Sequence, residues 1–204
     1  MPDHTSLSTA GESYASTKPE TLTRFVGKHF IYTYDNGWHY ETYIKNDRTC
    51  DFRIHAGMLG GRWVNDTAVH LVRLSEDICK ISWSEPAGTC VSLAFNLAAR
   101  EMHGVIFFPQ WIVRSPEKAI VHQSRANYPM MTAYRDAGPT YPTVVLDSFA
   151  KITFMEDCVI DNHSVIACAP ADLPKGYADR KNCGWRGKPH QRLRVWFGRR
   201  HELT

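Results

Sequence analysis

The chain has 204 residues, is 43% hydrophobic and 22% charged, and carries a formal net charge of +3. That is ordinary globular composition, with enough chain for one domain with a buried core. No apolar run approaches the ~20 residues that a membrane-spanning helix needs, so no membrane role is expected.

Residues 1–22 are biased towards Ser, Thr, Pro and Glu. They show no basic start followed by an apolar run, so they do not read as a secretory signal. They can bury little surface and are expected to form a disordered arm. Six cysteines stand at positions 50, 79, 90, 158, 168 and 183. There is no CxxC and no zinc-finger spacing with histidine, so no structural zinc is expected. Free thiols in a cytoplasmic protein are the expectation. Cys50, Cys79 and Cys90 fall in apolar strand patterns, as small hydrophobes.

From Phe25 to about Phe108 strand follows strand. "FVGKHFIYTY" and "WHYETYIKN" flank Asp35-Asn36-Gly37, a hairpin signal. This hairpin holds four of the nine tyrosines. Tyr32 and Tyr34 share one side of the strand. A two-residue turn would bring His39 and Glu41 to that side, whereas a turn with Gly37 as a bulge would bring Tyr40; the residues do not choose. "RTCDFRIHA" alternates, with Asp51 and Arg53 opposite an apolar row and expected to face solvent. "GRWVN", "AVHLVRL", "ICKISWS", "TCVSLAFNL" and "MHGVIFF" follow at short spacing. "QWIVRSPE" reads as a helical turn, "KAIVHQS" as a strand, "PMMTAYRDAG" as a helix and residues 143–157 as a last long strand. Eight to ten strands with two or three short helices predict an all-β, mainly antiparallel barrel or sandwich. One domain over residues 23–174 is expected. Residues 175–204 carry nine Lys/Arg against two acids, a net +7 that leaves −4 for the rest. Such a tail could bind nucleic acid, but a solvated, dispensable extension is the simpler expectation.

In "ICKISWSEP", Cys79, Ile81, Trp83 and Glu85 share a face, and the apolar members put that face inside. A carboxyl buried without a partner is costly. Arg62 in "GGRWVND" is the candidate partner. The bland alternative leaves Glu85 in water at a barrel rim. The histidines at 55, 70, 103 and 122 form no metal-binding pattern, and Met130-Met131 read as packing.

"FVGKHFIYTYDNGWHYETYIKN", "FRIHAGMLGGRWVND", "ISWSEPAGTCVSLAFN" and "MHGVIFFPQWI" together resemble the phenolic acid decarboxylases, in order and at preserved spacing. The resemblance implies a flattened, lipocalin-like β-barrel, a homodimer without cofactor, converting 4-hydroxycinnamic acids to 4-vinylphenols and CO2. By matching positions it implies catalytic roles for Tyr32, Tyr34, Arg62 and Glu85. It adds a pocket tyrosine at Tyr40, favouring the bulged hairpin, and pocket walls from Trp83, Val91, Ile106 and Phe108. Cys90 and His39 depart from residues common in the family. On this view Tyr32 and Tyr34 hold a phenolate, Glu85 protonates the substrate's α-carbon and Arg62 holds Glu85 and the substrate carboxylate in reacting geometry. A reversed substrate would instead place its carboxylate at the tyrosines. A carrier of small aromatics that performs no chemistry is the rival expectation.

Overall fold

The computed structural model describes residues 21–182. Ten strands follow in chain order: β1 (Lys28–Tyr34), β2 (His39–Ile44), β3 (Thr49–Ala56), β4 (Trp63–Ala68), β5 (His70–Arg73), β6 (Ile78–Ser84), β7 (Cys90–Asn96), β8 (Glu101–Phe108), β9 (His122–Gln123) and β10 (Val144–Asp157). Helices α1 (Gln110–Arg114) and α2 (Tyr128–Ala137) flank β9. The strands form one sheet in the order β5-β6-β7-β8-β10-β1-β2-β3-β4-β9, curled into a lipocalin-like half-barrel. The 14-residue β10 joins its halves, pairing with β8 through Val144–Lys151 and with β1 through Ala150–Asp157.

The first hairpin takes the bulged form. The Tyr34 amide donates to the Trp38 carbonyl (2.9 Å), and Gly37 donates to the Tyr34 carbonyl with φ of 86°, a conformation glycine adopts without steric cost. Tyr32 therefore pairs with Tyr40, and all three tyrosines face inward. Helix α2 has proline in its first turn and Gly138 at its C-terminal cap. Of the strand expected in "KAIVHQS" only His122–Gln123 forms, because Pro116–Ala119 winds as a 3-10 turn. That two-residue β9 lies parallel to β4, with Gln123 opposite Val64.

Strands β6 and β7 alternate buried and exposed residues, with Cys79, Ile81 and Trp83 turned into the barrel. Cys90, expected as a small core hydrophobe, is exposed at the start of β7. β2 and β3 are buried on both faces, which overturns the expectation that Asp51 and Arg53 face solvent. Residues 158–182 run as a strap over the outer face of these strands, with the Tyr177 ring against Arg53. The Tyr43 hydroxyl donates to the Val159 carbonyl (2.5 Å), Asn65 to the Ile166 carbonyl (2.8 Å) and the Tyr177 hydroxyl to Glu41 (2.9 Å). The Arg180 guanidinium lies over the rings of Tyr177 (3.8 Å) and Phe154 (4.1 Å), and Asn182 accepts from the Met155 amide (2.6 Å). The domain boundary expected at residue 174 thus falls inside the packed strap, whose docking residues follow it. At the other end Leu22, assigned to the arm by composition, is buried in the core. The remainder of the arm and of the basic tail lies outside the described residues.

Candidate active site

Strand alternation brings side chains from β1, β2, β3, β6, β7 and β8 to one internal cavity. With its mouth the cavity measures about 400 Å³. All nine residues singled out from the sequence line it: Tyr32, Tyr34, Tyr40, Arg62, Trp83, Glu85, Val91, Ile106 and Phe108. Thr42 and Thr89 bring hydroxyls that the sequence reading passed over. Thr42 was accessible in principle, since it shares the inward face of β2 with Tyr40.

The three tyrosines form an edge-packed cluster. The Tyr32 and Tyr34 rings lie 5.6 Å apart at 81°, and Tyr34 and Tyr40 5.4 Å apart at 89°. Tyr32 shares a 3.0 Å hydrogen bond with Thr42, whereas the buried hydroxyls of Tyr34 and Tyr40 have no protein partner among the described residues. Burial pushes all three phenols well above the ordinary tyrosine range, because desolvation penalises the charged form. They stand in the cavity as neutral O–H donors, suited to an anion.

The second element is an ion pair. Arg62 Nη2 donates to Glu85 Oε2 at 2.6 Å, both side chains being almost wholly buried. Trp83 Nε1 lies 3.3 Å from the other carboxylate oxygen. The bland expectation of a solvated rim glutamate is overturned by this burial. Glu85 leaves β6 at a tight turn, its amide bonded to the Thr89 carbonyl (2.8 Å). Arg62 stands just before β4, where Gly61 at φ 102° ends the turn from β3. Its Nη1 donates to the Ala119 carbonyl (2.8 Å), and Nη2 also donates to Gln123. Sequence reasoning missed Gln123, which lies 61 residues away on the shortest strand.

A separate buried network occupies the outer face of β1–β3. Glu41 accepts from His29 (2.7 Å), His55 (2.8 Å), Arg53 (3.1 Å) and Tyr177 (2.9 Å). Burial would lower the pKa of His29, but its bonds to Cys158, Glu156 and Glu41 outweigh that and raise it to about 10. His29, Glu156 and Cys158 place potential ligand atoms within 4.8 Å of one another. The imidazole nevertheless donates from Nδ1 to Glu156 and from Nε2 to Glu41, so the charged ring has no lone pair for a metal.

A cavity lined by aromatic side chains, with neutral phenol donors and a buried Arg–Glu pair, suits a small aromatic anion. The sequence comparisons sharpen that reading. The family model described as Phenolic acid decarboxylase (PAD) matches residues 22–180, and the chain belongs to the phenolic acid decarboxylase family. It is 51% identical over 156 residues to the "Probable phenolic acid decarboxylase" of Vibrio cholerae, covering 76% of this chain and 89% of that protein. It is 48% identical over 149 residues to Phenolic acid decarboxylase PadC of Bacillus subtilis, covering 73% and 92% respectively. The chain is accordingly a decarboxylase of phenolic acids, and the carrier alternative falls.

Proposed function

We propose that the chain decarboxylates 4-hydroxycinnamic acids (p-coumarate, ferulate and caffeate) to 4-vinylphenols and CO2 without a cofactor. The carrying observation is that one buried cavity holds both the neutral tyrosine cluster and the Arg62–Glu85 pair. Direct loss of CO2 from a vinylic carbon would leave an unstabilised vinyl anion. Protonation of the α-carbon avoids this: the para-phenolate feeds electrons through the ring and a quinone methide forms. The carbon–carboxylate bond then breaks, its electron pair makes the new α–β double bond, and the ring recovers its phenolate. The substrate itself is the electron reservoir, so no metal or redox group is required.

In this reading Tyr32 and Tyr34 donate to the phenolate, Glu85 delivers the α-proton and Arg62 orients Glu85. Tyr40, Trp83, Val91, Ile106 and Phe108 shape the slot around the ring. A second reading reverses the substrate, and the short Arg62–Glu85 ion pair favours it. An ionised Glu85 would take the phenol proton, while the tyrosines would hold the carboxylate and one of them would protonate the α-carbon. The reading extends to a cytoplasmic homodimer. Supporting it are the free thiols of Cys50, Cys79, Cys90, Cys158 and Cys168 and the exposed apolar side chains of Phe107, Val145 and Phe149 on β8 and β10.

The test is incubation of chelator-dialysed protein with p-coumarate while following the cinnamate ultraviolet band. Loss of the band with release of 4-vinylphenol is expected. Cinnamic acid and 4-methoxycinnamic acid, which cannot form the quinone methide, are expected to bind unchanged. Turnover of either, or a requirement for an added metal, would overturn the reading.

A further inference from the structure

Arg62 carries two hydrogen bonds on one nitrogen: Nη2 donates both to Glu85 and to the side-chain carbonyl of Gln123. Gln123 is fully buried. Its amide must turn oxygen towards Arg62, since a guanidinium only donates. This leaves Nε2 buried without a hydrogen-bond partner among the described residues. An orphaned buried donor is destabilising, so a leucine would fill this position better if packing were the only requirement.

The surroundings of Gln123 hold it against Arg62. Its neighbour His122 stacks on Trp63, the residue after Arg62, with rings 3.7 Å apart and 10° from parallel. His122 also shares a 2.9 Å bond with Asn65, and its carbonyl accepts from Asn127. The dipeptides Arg62-Trp63 and His122-Gln123 thus meet side by side where β4 and β9 pair. With Ala119 on Nη1, both guanidinium termini are fixed by the segment 119–123, independently of Glu85.

We propose that Gln123 is a positioning residue for the Arg62–Glu85 pair, a neutral acceptor that fixes the Arg62 fork without drawing on its charge. A glutamate there would hold the fork equally well but would compete with Glu85 for the same cation. An amide orients the guanidinium and leaves its charge to the carboxylate and the substrate. This inference rests on the reading of Arg62 and Glu85 as the reacting pair.

The test uses Gln123→Leu, which removes the acceptor, and Gln123→Asn, which keeps the amide but withdraws it by one methylene. In both, kcat on p-coumarate is expected to fall about tenfold or more, with KM changed less than threefold and the melting temperature within a few degrees of wild type. On an Arg62→Lys background, adding Gln123→Leu is expected to cost less than twofold, because the residue acts through the fork. A kcat within threefold of wild type in both variants would overturn the inference. So would failure of both to fold, which would make the role purely structural. A readout independent of turnover separates this outcome from failure of the proposed reaction. In wild type the Arg62 Nη–H resonances, assigned by their loss in Arg62→Lys, are expected to be resolved by restricted rotation. They are expected to merge in both Gln123 variants. Unchanged resonances would overturn the inference even if p-coumarate proved inert.

Discussion

Tyr34 stands directly over Gly104. A Cβ built on that glycine would lie 2.6 Å from the Tyr34 hydroxyl oxygen and 2.9 Å from its ring. Gly104 is buried in β8, opposite Leu93 on β7 and Ser148 on β10, so neither backbone neighbour can readily give way. The glycine is the space in which the phenol sits. Gly104→Ala is expected to displace Tyr34 and to cost about 1–3 kcal/mol through overpacking, with a fall in kcat beyond the loss of folded protein. Melting curves and steady-state kinetics check both parts. Wild-type values in both would show that Tyr34 has freedom to move.

Removing one hydroxyl of the cluster tests its chemical role. Tyr32→Phe and Tyr34→Phe are expected to lower kcat on the order of 10²–10³-fold while changing KM much less, the pattern of an interaction made mainly in the transition state. Near-wild-type kcat in both, with folding intact, would reduce these tyrosines to sheet-forming aromatics.

Glu85→Gln keeps the shape of the side chain and removes its proton chemistry, so it is expected to cost more than either tyrosine change near neutral pH. Its pH profile separates the two substrate poses. If Glu85 protonates the α-carbon, the variant stays inactive at every pH. If Glu85 takes the phenol proton, activity returns as alkaline pH ionises the substrate unaided. Arg62→Lys is expected to lose more than tenfold in kcat, since an ammonium lacks the planar fork that serves Glu85, Gln123 and Ala119 together. Comparable kcat in this variant would mean that charge alone suffices.

The network behind the hairpin makes stability depend on pH. His29 is held charged up to about 10 from an ordinary value of 6.5. Its contribution is complete below about 6.5 and is lost as pH rises towards about 10. Burial would raise the Glu41 carboxyl, but the bonds from His29 and His55 and the charges of His29 and Arg53 hold it well below the usual range. Its contribution is present above about 4.5 and disappears as the pH falls. Stability is therefore expected to peak between the two ordinary values and to decline by a few kcal/mol, to order of magnitude, on raising the pH from 6.5 to 10. His29→Gln is expected to be less stable at pH 6.5 and to show a flatter decline. Parallel slopes for the two proteins would place the titration elsewhere.

Removal of residues 175–204 strips Tyr177 from Glu41 and Arg180 from Phe154. The truncated protein is expected to melt several degrees lower, since ~1 kcal/mol corresponds to about 2–4 °C in a chain of this size. An unchanged melting temperature would make the docked strap energetically silent.

The strands, the short helices and the inward face of β6 were legible because alternation and turn residues are local signals. The cavity-facing side chains followed from the same alternation, supported by the family resemblance. What the sequence hid is non-local. Asp51 and Arg53 alternate like solvent-facing residues, but Asp51 pairs with Lys45 and the Asp66 amide, and Arg53 lies between Glu41 and the ring of Tyr177, more than a hundred residues later. Composition obscured the start of the tail, because its Lys/Arg count says nothing of Tyr177 finding a carboxylate. Gln123 carries no local mark at all, for its meaning lies in a two-residue parallel pairing. Gly104 did carry one, since a glycine inside a strand often marks close approach.

The central claim is that the exchangeable proton supplied by the site goes to the α-carbon and not to the ring-side carbon, and one measurement addresses it directly. p-Coumarate is converted by the protein in D2O and the 4-vinylphenol is examined by proton NMR. The account expects one deuterium on the terminal vinyl carbon, the former α-carbon, and none at the ring-side carbon. Product without deuterium at that position, or deuterium at the ring-side carbon instead, would contradict it.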